Sequence, residues 1–134
     1  MARLSRYFRV IHVVVVLLLT FVCGCGGDQI KPVSGIITLD DKPLAGVQVI
    51  FAPVEGGRRN SVGKTDETGA YSLIYTIRDD GAITGEYKVL ISKRKMTKDG
   101  EVETLPAKYN RDSTFRAEVT ASGDNKFDYH LESE

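Results

Sequence analysis

The chain has 134 residues, 18 of them basic and 18 acidic, with two cysteines, two histidines and no tryptophan. A formal net charge of zero gives no basic footprint for nucleic acid. Two cysteines one residue apart are too close for an unstrained disulfide and too few for a zinc or cluster site.

Met1 to Arg9 carries Arg3, Arg6 and Arg9 and no acid. Val10 to Val22 then reads VIHVVVVLLLTFV, 13 residues broken only by His12 and Thr20. A bilayer span needs about 20 apolar residues. A basic start, a short apolar run and small residues after it describe an export signal that is later removed. Counting from Phe8 to Cys25 gives 18 residues, so a retained transmembrane anchor is the alternative. The run ends in VCGC, residues 22–25, which resembles the lipobox of bacterial lipoproteins. That resemblance implies cleavage before Cys25, a lipid on its thiol, and loss of Cys23 with the signal at 1–24. Bulky Val22 makes Cys23 the poorer candidate. Two or more acyl chains hold a protein stably at a membrane, at about 0.8 kcal/mol per buried methylene. Residues 25–31 are expected to form a flexible tether. The exported part keeps 15 basic against 18 acidic residues, a charge near −3, and with Cys25 lipidated it has no thiol left to pair.

From residue 32 the pattern is period-two alternation cut by turns. Val33, Gly35, Ile37 and Leu39 share one face; Val47, Val49 and Phe51 share the next. A short strand is expected around Val62–Thr65, then AYSLIYT with Tyr71, Leu73 and Tyr75 aligned. EYKVLISK aligns Tyr87, Val89 and Ile91, TFRAEVT aligns Phe115, Ala117 and Val119, and KFDYHLE aligns Phe127, Tyr129 and Leu131. The intervening LDDKPLAG, TDETGAY, RDDGAITG and ASGDNK are turn-rich, with Gly69 placed for a positive φ. TKDGEV carries an Asp-Gly hairpin signal. Lys93 to Arg111 is the least strand-like part, a long charged connection. The expectation is all-β: after the N-terminal signal helix, a single antiparallel seven-stranded β-sandwich, prealbumin-like or Ig-like, over residues 32–134.

PVSGIITLDDKPLAGVQVIFAP, TDETGAYSL and GEYKVLISK, followed by LPAKYN, STFRAEVT and NKFDYHL, resemble the carboxypeptidase regulatory-like domain in the small lipoproteins of planctomycete-type bacteria. The resemblance spans Pro32 to Leu131 and rests on the order of the blocks. It implies a transthyretin-like sandwich and no enzymatic activity. Transthyretin-like folds include a 5-hydroxyisourate hydrolase whose active site uses histidines and which ends in a Tyr-Arg-Gly-Ser tail; this chain ends HLESE instead and lacks those histidines.

The residues themselves name no catalytic, cofactor-binding or metal residue. His130 alternates outward on the last strand, an exposed position. Asp40 with Asp41, Asp66 with Glu67, and Asp79 with Asp80 cluster in turns, but without the ligand spacing of a calcium loop. Asp66 is expected to cap the TDETG turn. Tyr75, Tyr87, Tyr109 and Tyr129 are the rings a carbohydrate site would need, and three of them alternate with core positions. Lys93, Arg94, Lys95 and Lys98 form a basic run that reads as a solvated loop rather than a headgroup contact. The expected function is a non-catalytic, lipid-anchored module of the cell envelope. Its partners are the membrane through Cys25 and an envelope protein met through a sheet edge. A small-ligand or carbohydrate-binding domain, or an accessory subunit of an envelope enzyme, is the alternative.

Overall fold

Alternating side chains become a sandwich only when two sheets turn their apolar faces inward. The computed structural model describes residues 27–134, and these are almost entirely β-structure, with one 3-10 turn at Ala107–Tyr109. Strands are numbered β1 to β14 along the chain. The larger sheet has six, in the spatial order β13 (Arg116–Val119), β10 (Gly85–Ser92), β4 (Gln48–Pro53), β5 (Ser61–Lys64), β7 (Ile74–Thr76) and β8 (Asp79–Asp80). The second sheet sets β14 (Tyr129–Leu131), β2 (Ser34–Leu39) and β3 (Lys42–Pro43) side by side, with β6 (Ala70–Ser72) on the first half of β2. β1 (Ile30–Lys31) pairs with β9 (Ala82–Ile83), and β11 (Arg94–Thr97) forms a hairpin with β12 (Gly100–Glu103).

The faces follow the alternation. Ile37 and Leu131 from the second sheet meet Val49, Phe51, Tyr87 and Val89 from the first in one apolar core. Burial of each such side chain contributes about 1.5–3 kcal/mol. Phe51 sits at the middle, its ring 5.7 Å from that of Tyr87 and 5.6 Å from that of Phe127. The TDETG turn forms as its residues dictate: Asp66 Oδ1 accepts from Thr68 N at 2.8 Å and Ala70 N at 3.1 Å, and Gly69 takes φ 77°.

The structure departs from the simple antiparallel sandwich in four places. AYSLIYT is two strands, not one: β6 pairs with β2 and β7 with β5, so the chain changes sheets at Leu73, which stays in the core. β14 runs parallel to β2, with Tyr129 beside Ile37 and Leu131 beside Leu39. That approach is possible because residue 35 is glycine; a Cβ there would lie 1.8 Å from Phe127 O. Asp40 and Asp41, both at positive φ (49° and 65°), close β2 onto β3 as a two-residue hairpin, a geometry Asp tolerates better than most residues. Fourteen short strands therefore stand where seven were expected, and within Lys93–Arg111 the Asp-Gly signal of TKDGEV forms the β11–β12 hairpin.

At the start of the domain, Ile30 and Lys31 pair with Ile83 and Ala82, although these residues belong to the segment expected to be a tether. Arg58 fixes the same end, bonding Asp28 Oδ1 at 2.5 Å and Thr84 O at 3.0 Å. The signal segment, Cys23 and Cys25 lie outside the described residues.

Candidate functional site

The outer face of the larger sheet carries aliphatic side chains on several neighbouring strands. Residues facing away from the core alternate with Val49, Phe51, Val89 and Ile91, so Ile50, Val62, Ile74 and Leu90 point outward. The ladders align them: Leu90 stands opposite Ile50, Ile50 opposite Val62, and Val62 opposite Ile74. Four aliphatic side chains thus form one row across four strands, and Ile74 at its end is 52 % exposed. The next row is polar, Ser92–Gln48–Lys64.

Two clefts border this row, and both are lined in part by the β11–β12 hairpin. The first, about 560 Å³, is lined by Val62, Lys64 and Ile74 from the sheet and by Arg94 and Glu101 from the hairpin. The second, about 530 Å³, runs along Ile50 and Leu90 to Glu103 and Arg111. Arg94 and Glu101 approach to 3.5 Å as an exposed pair, which contributes little to stability. Lys64 has no ion-pair partner among the described residues. On the hairpin itself, Met96 and Val102 are 70 % and 50 % exposed.

Glu103 ties the hairpin to the end of β10. Its Oε1 accepts from Lys93 N at 2.8 Å and Leu105 N at 3.1 Å, and its Oε2 accepts from Ser92 Oγ. Burial pushes the Glu103 carboxyl up, but the bonds from Ser92, Lys93 and Leu105 outweigh it and hold the group below the ordinary carboxylate range. Nothing in the local sequence marks Glu103 beyond the bond from Leu105 two residues on, because Ser92 and Lys93 become its neighbours only when the hairpin folds back on the end of β10.

The residues that the sequence singles out are mostly occupied elsewhere. His130 is exposed on β14, its Nδ1 2.8 Å from Thr38 Oγ1 on the parallel neighbour. Asp40 takes both Ser133 N and Ser133 Oγ, at 3.0 and 2.5 Å, and these bonds lower its carboxyl. Asp66 is lowered by its bonds to Thr68 and Ala70, and Asp79 accepts from Thr76 Oγ1 at 2.6 Å. Among the described residues no three or more His, Cys, Asp or Glu gather as a metal site.

The tyrosines are packing groups. Tyr87 is buried and donates to Ile83 O at 2.6 Å; Tyr109 is buried with its hydroxyl 2.9 Å from Glu132 N. Tyr129 lies 5.0 Å from the ring of Phe115, and burial pushes its phenol up to about 12. Tyr75 is half-buried in β7. The rings of Tyr87, Tyr109 and Tyr129 each pack against a phenylalanine, Phe51 for the first and Phe115 for the other two. The basic run falls on β11 and its turn, with Arg94 lining both clefts.

No family model matches the chain, and no curated protein matches it. Among solved structures it is similar to a 9R-lipoxygenase from Cyanothece PCC8801, at 15 % identity and a TM-score of 0.37. That match covers 78 % of this chain and 16 % of the lipoxygenase. A similarity this low carries no argument about activity.

Proposed function

We propose that this chain is a lipid-anchored, non-catalytic module of the bacterial cell envelope that works by contact with another envelope protein. Export by the segment 1–24 and a lipid on Cys25 would hold a transthyretin-like domain at a membrane face, as the lipobox-like VCGC and the order of the later blocks imply. The observation that carries the binding role is the aliphatic row Leu90–Ile50–Val62–Ile74 on the outer face of the larger sheet. An apolar row beside clefts is a surface that a partner can dehydrate. Lys64 at its margin, without an ion-pair partner among the described residues, favours a partner segment that is apolar and carries an acidic group at that end.

Capture from detergent-solubilised envelope tests this reading. The wild-type chain should retain a partner that a Val62→Lys/Ile74→Asp variant, circular-dichroism spectrum unchanged, loses. Capture of nothing above background, or equal capture by both, would overturn it. The anchor is checked separately by mass spectrometry of the mature N-terminus: a lipidated peptide starting at Cys25 is expected, and an intact Met1 start contradicts it. The size of the first cleft, about 560 Å³, also suits a small ligand or glycan unit. A thermal-shift panel of sugars and small amphiphiles addresses that second reading, and a flat response removes it.

A further inference from the structure

The six-stranded sheet ends at β13, and the register of its one ladder decides what that edge presents. Val89 N donates to Phe115 O at 3.0 Å, and Tyr87 and Gly85 stand opposite Ala117 and Val119. Bonded and non-bonded pairs alternate in an antiparallel ladder. Phe115, Ala117 and Val119 therefore direct their main-chain groups at β10, and the N–H and C=O of Arg116 and Glu118 point away from the sheet. Among the described residues no hydrogen bond is made to those four groups. The open stretch is short, because Asn125 takes both the N–H and the C=O of Thr120 just beyond it.

The side chains on this edge are matched poorly to their own sheet. Arg116 stands opposite Lys88, and Glu118 opposite Glu86. Both are non-bonded pairs, in which side chains lie closest, and like charges directly opposite are unfavourable. Charged side chains on an edge ordinarily keep other strands away. Here the two signs alternate at positions i and i+2, so the strand is complementary to an inverted copy of itself.

We propose that β13 pairs antiparallel with β13 of a second copy, about a two-fold axis through Ala117, joining two six-stranded sheets into one. The outward-pointing groups of Arg116 and Glu118 must face their equivalents, which leaves three close registers. Two of them place Arg116 on Arg116 or Glu118 on Glu118. The third places Arg116 of each copy opposite Glu118 of the other, with four main-chain hydrogen bonds, and the charges select it. Ala117 lies at the axis in a non-bonded pair, where its small side chain lets the strands close. The interface is isologous, as a two-fold dimer requires. It leaves the aliphatic row toward β7 uncovered, so this inference does not depend on the proposed partner of that face.

Two differently tagged copies of the full chain, mixed in detergent, provide the test. Wild type should capture wild type. Arg116→Glu and Glu118→Arg should each lose self-capture by about tenfold or more, since each turns two attractive pairs into two repulsive ones. A mixture of the two variants should restore capture, because every Glu of one then meets an Arg of the other, and that restoration also shows that both variants are folded. Absence of wild-type self-capture, self-capture indifferent to either reversal, or failure of the mixture to restore it would each overturn the proposal.

Discussion

Replacing Gly35 by alanine separates local preference from tertiary fit. Glycine inside a strand is ordinarily less stable than alanine by about 0.5–1 kcal/mol, so strand propensity alone makes the substitution favourable. The structure reverses the sign. A Cβ at residue 35 would lie 1.8 Å from Phe127 O, 2.6 Å from Phe127 C and 2.8 Å from Tyr71 Cε1. Relief requires the segment before β14 to move away from β2. Four hydrogen bonds depend on its place: Ser34 N to Asn125 O at 3.3 Å, Phe127 N to Ser34 O at 2.8 Å, Tyr71 Oη to Phe127 O at 2.7 Å, and Ile36 N to Asp128 Oδ1 at 2.8 Å. At about 1 kcal/mol net for each bond, less the propensity gain, Gly35→Ala should cost about 3 kcal/mol. Urea unfolding followed by circular dichroism should show the midpoint falling by about 2 M, for a slope of about 1.5 kcal/mol/M. Gly56→Ala is the control: nothing lies within 4 Å of its Cβ position, and it should be neutral or stabilising by up to about 1 kcal/mol. A Gly35→Ala protein as stable as its parent would refute the reasoning.

Ser61 is fully buried and its hydroxyl has no partner among the described residues, so Ser61→Ala should raise stability by about 1 kcal/mol in the same titration. Two tyrosines should part company when truncated to phenylalanine: Tyr71→Phe loses the bond to Phe127 O and about 1 kcal/mol, whereas Tyr129→Phe, whose buried hydroxyl is unpaired, should be neutral or better. Because burial raises the Tyr129 phenol to about 12, its contribution is complete below the unfolded value of about 10 and is lost as pH rises from there through the folded value; Tyr129→Phe should flatten that alkaline limb. Glu103 behaves oppositely. Its carboxyl is lowered in the folded state, so its contribution is present above the unfolded value of about 4.3 and fades as pH falls through the folded one. Glu103→Ala should remove that acid dependence and loosen the β11–β12 hairpin, seen as faster amide exchange at Lys93 and Leu105.

The sequence by itself determined which residues face inward. Val33, Ile37, Val49, Phe51, Tyr87, Val89, Ile91, Val119 and Leu131 alternate at period two, a property of the extended backbone that no partner is needed to read, and all of them are buried. It also determined the Asp66–Gly69 turn, because the capping carboxylate and the positive-φ glycine lie within one turn of chain. Which strand lies beside which was a tertiary decision. Alternation cannot show that Tyr71 and Ile74 belong to different sheets, that Tyr129 runs parallel to Ile37, or that Gly35 is an absence required by Phe127 O. The row Leu90–Ile50–Val62–Ile74 and the open edge at Arg116 and Glu118 depend on the same choice. Each is assembled from residues far apart in sequence, and cross-strand register, set by packing of the whole core, is what brings them into line.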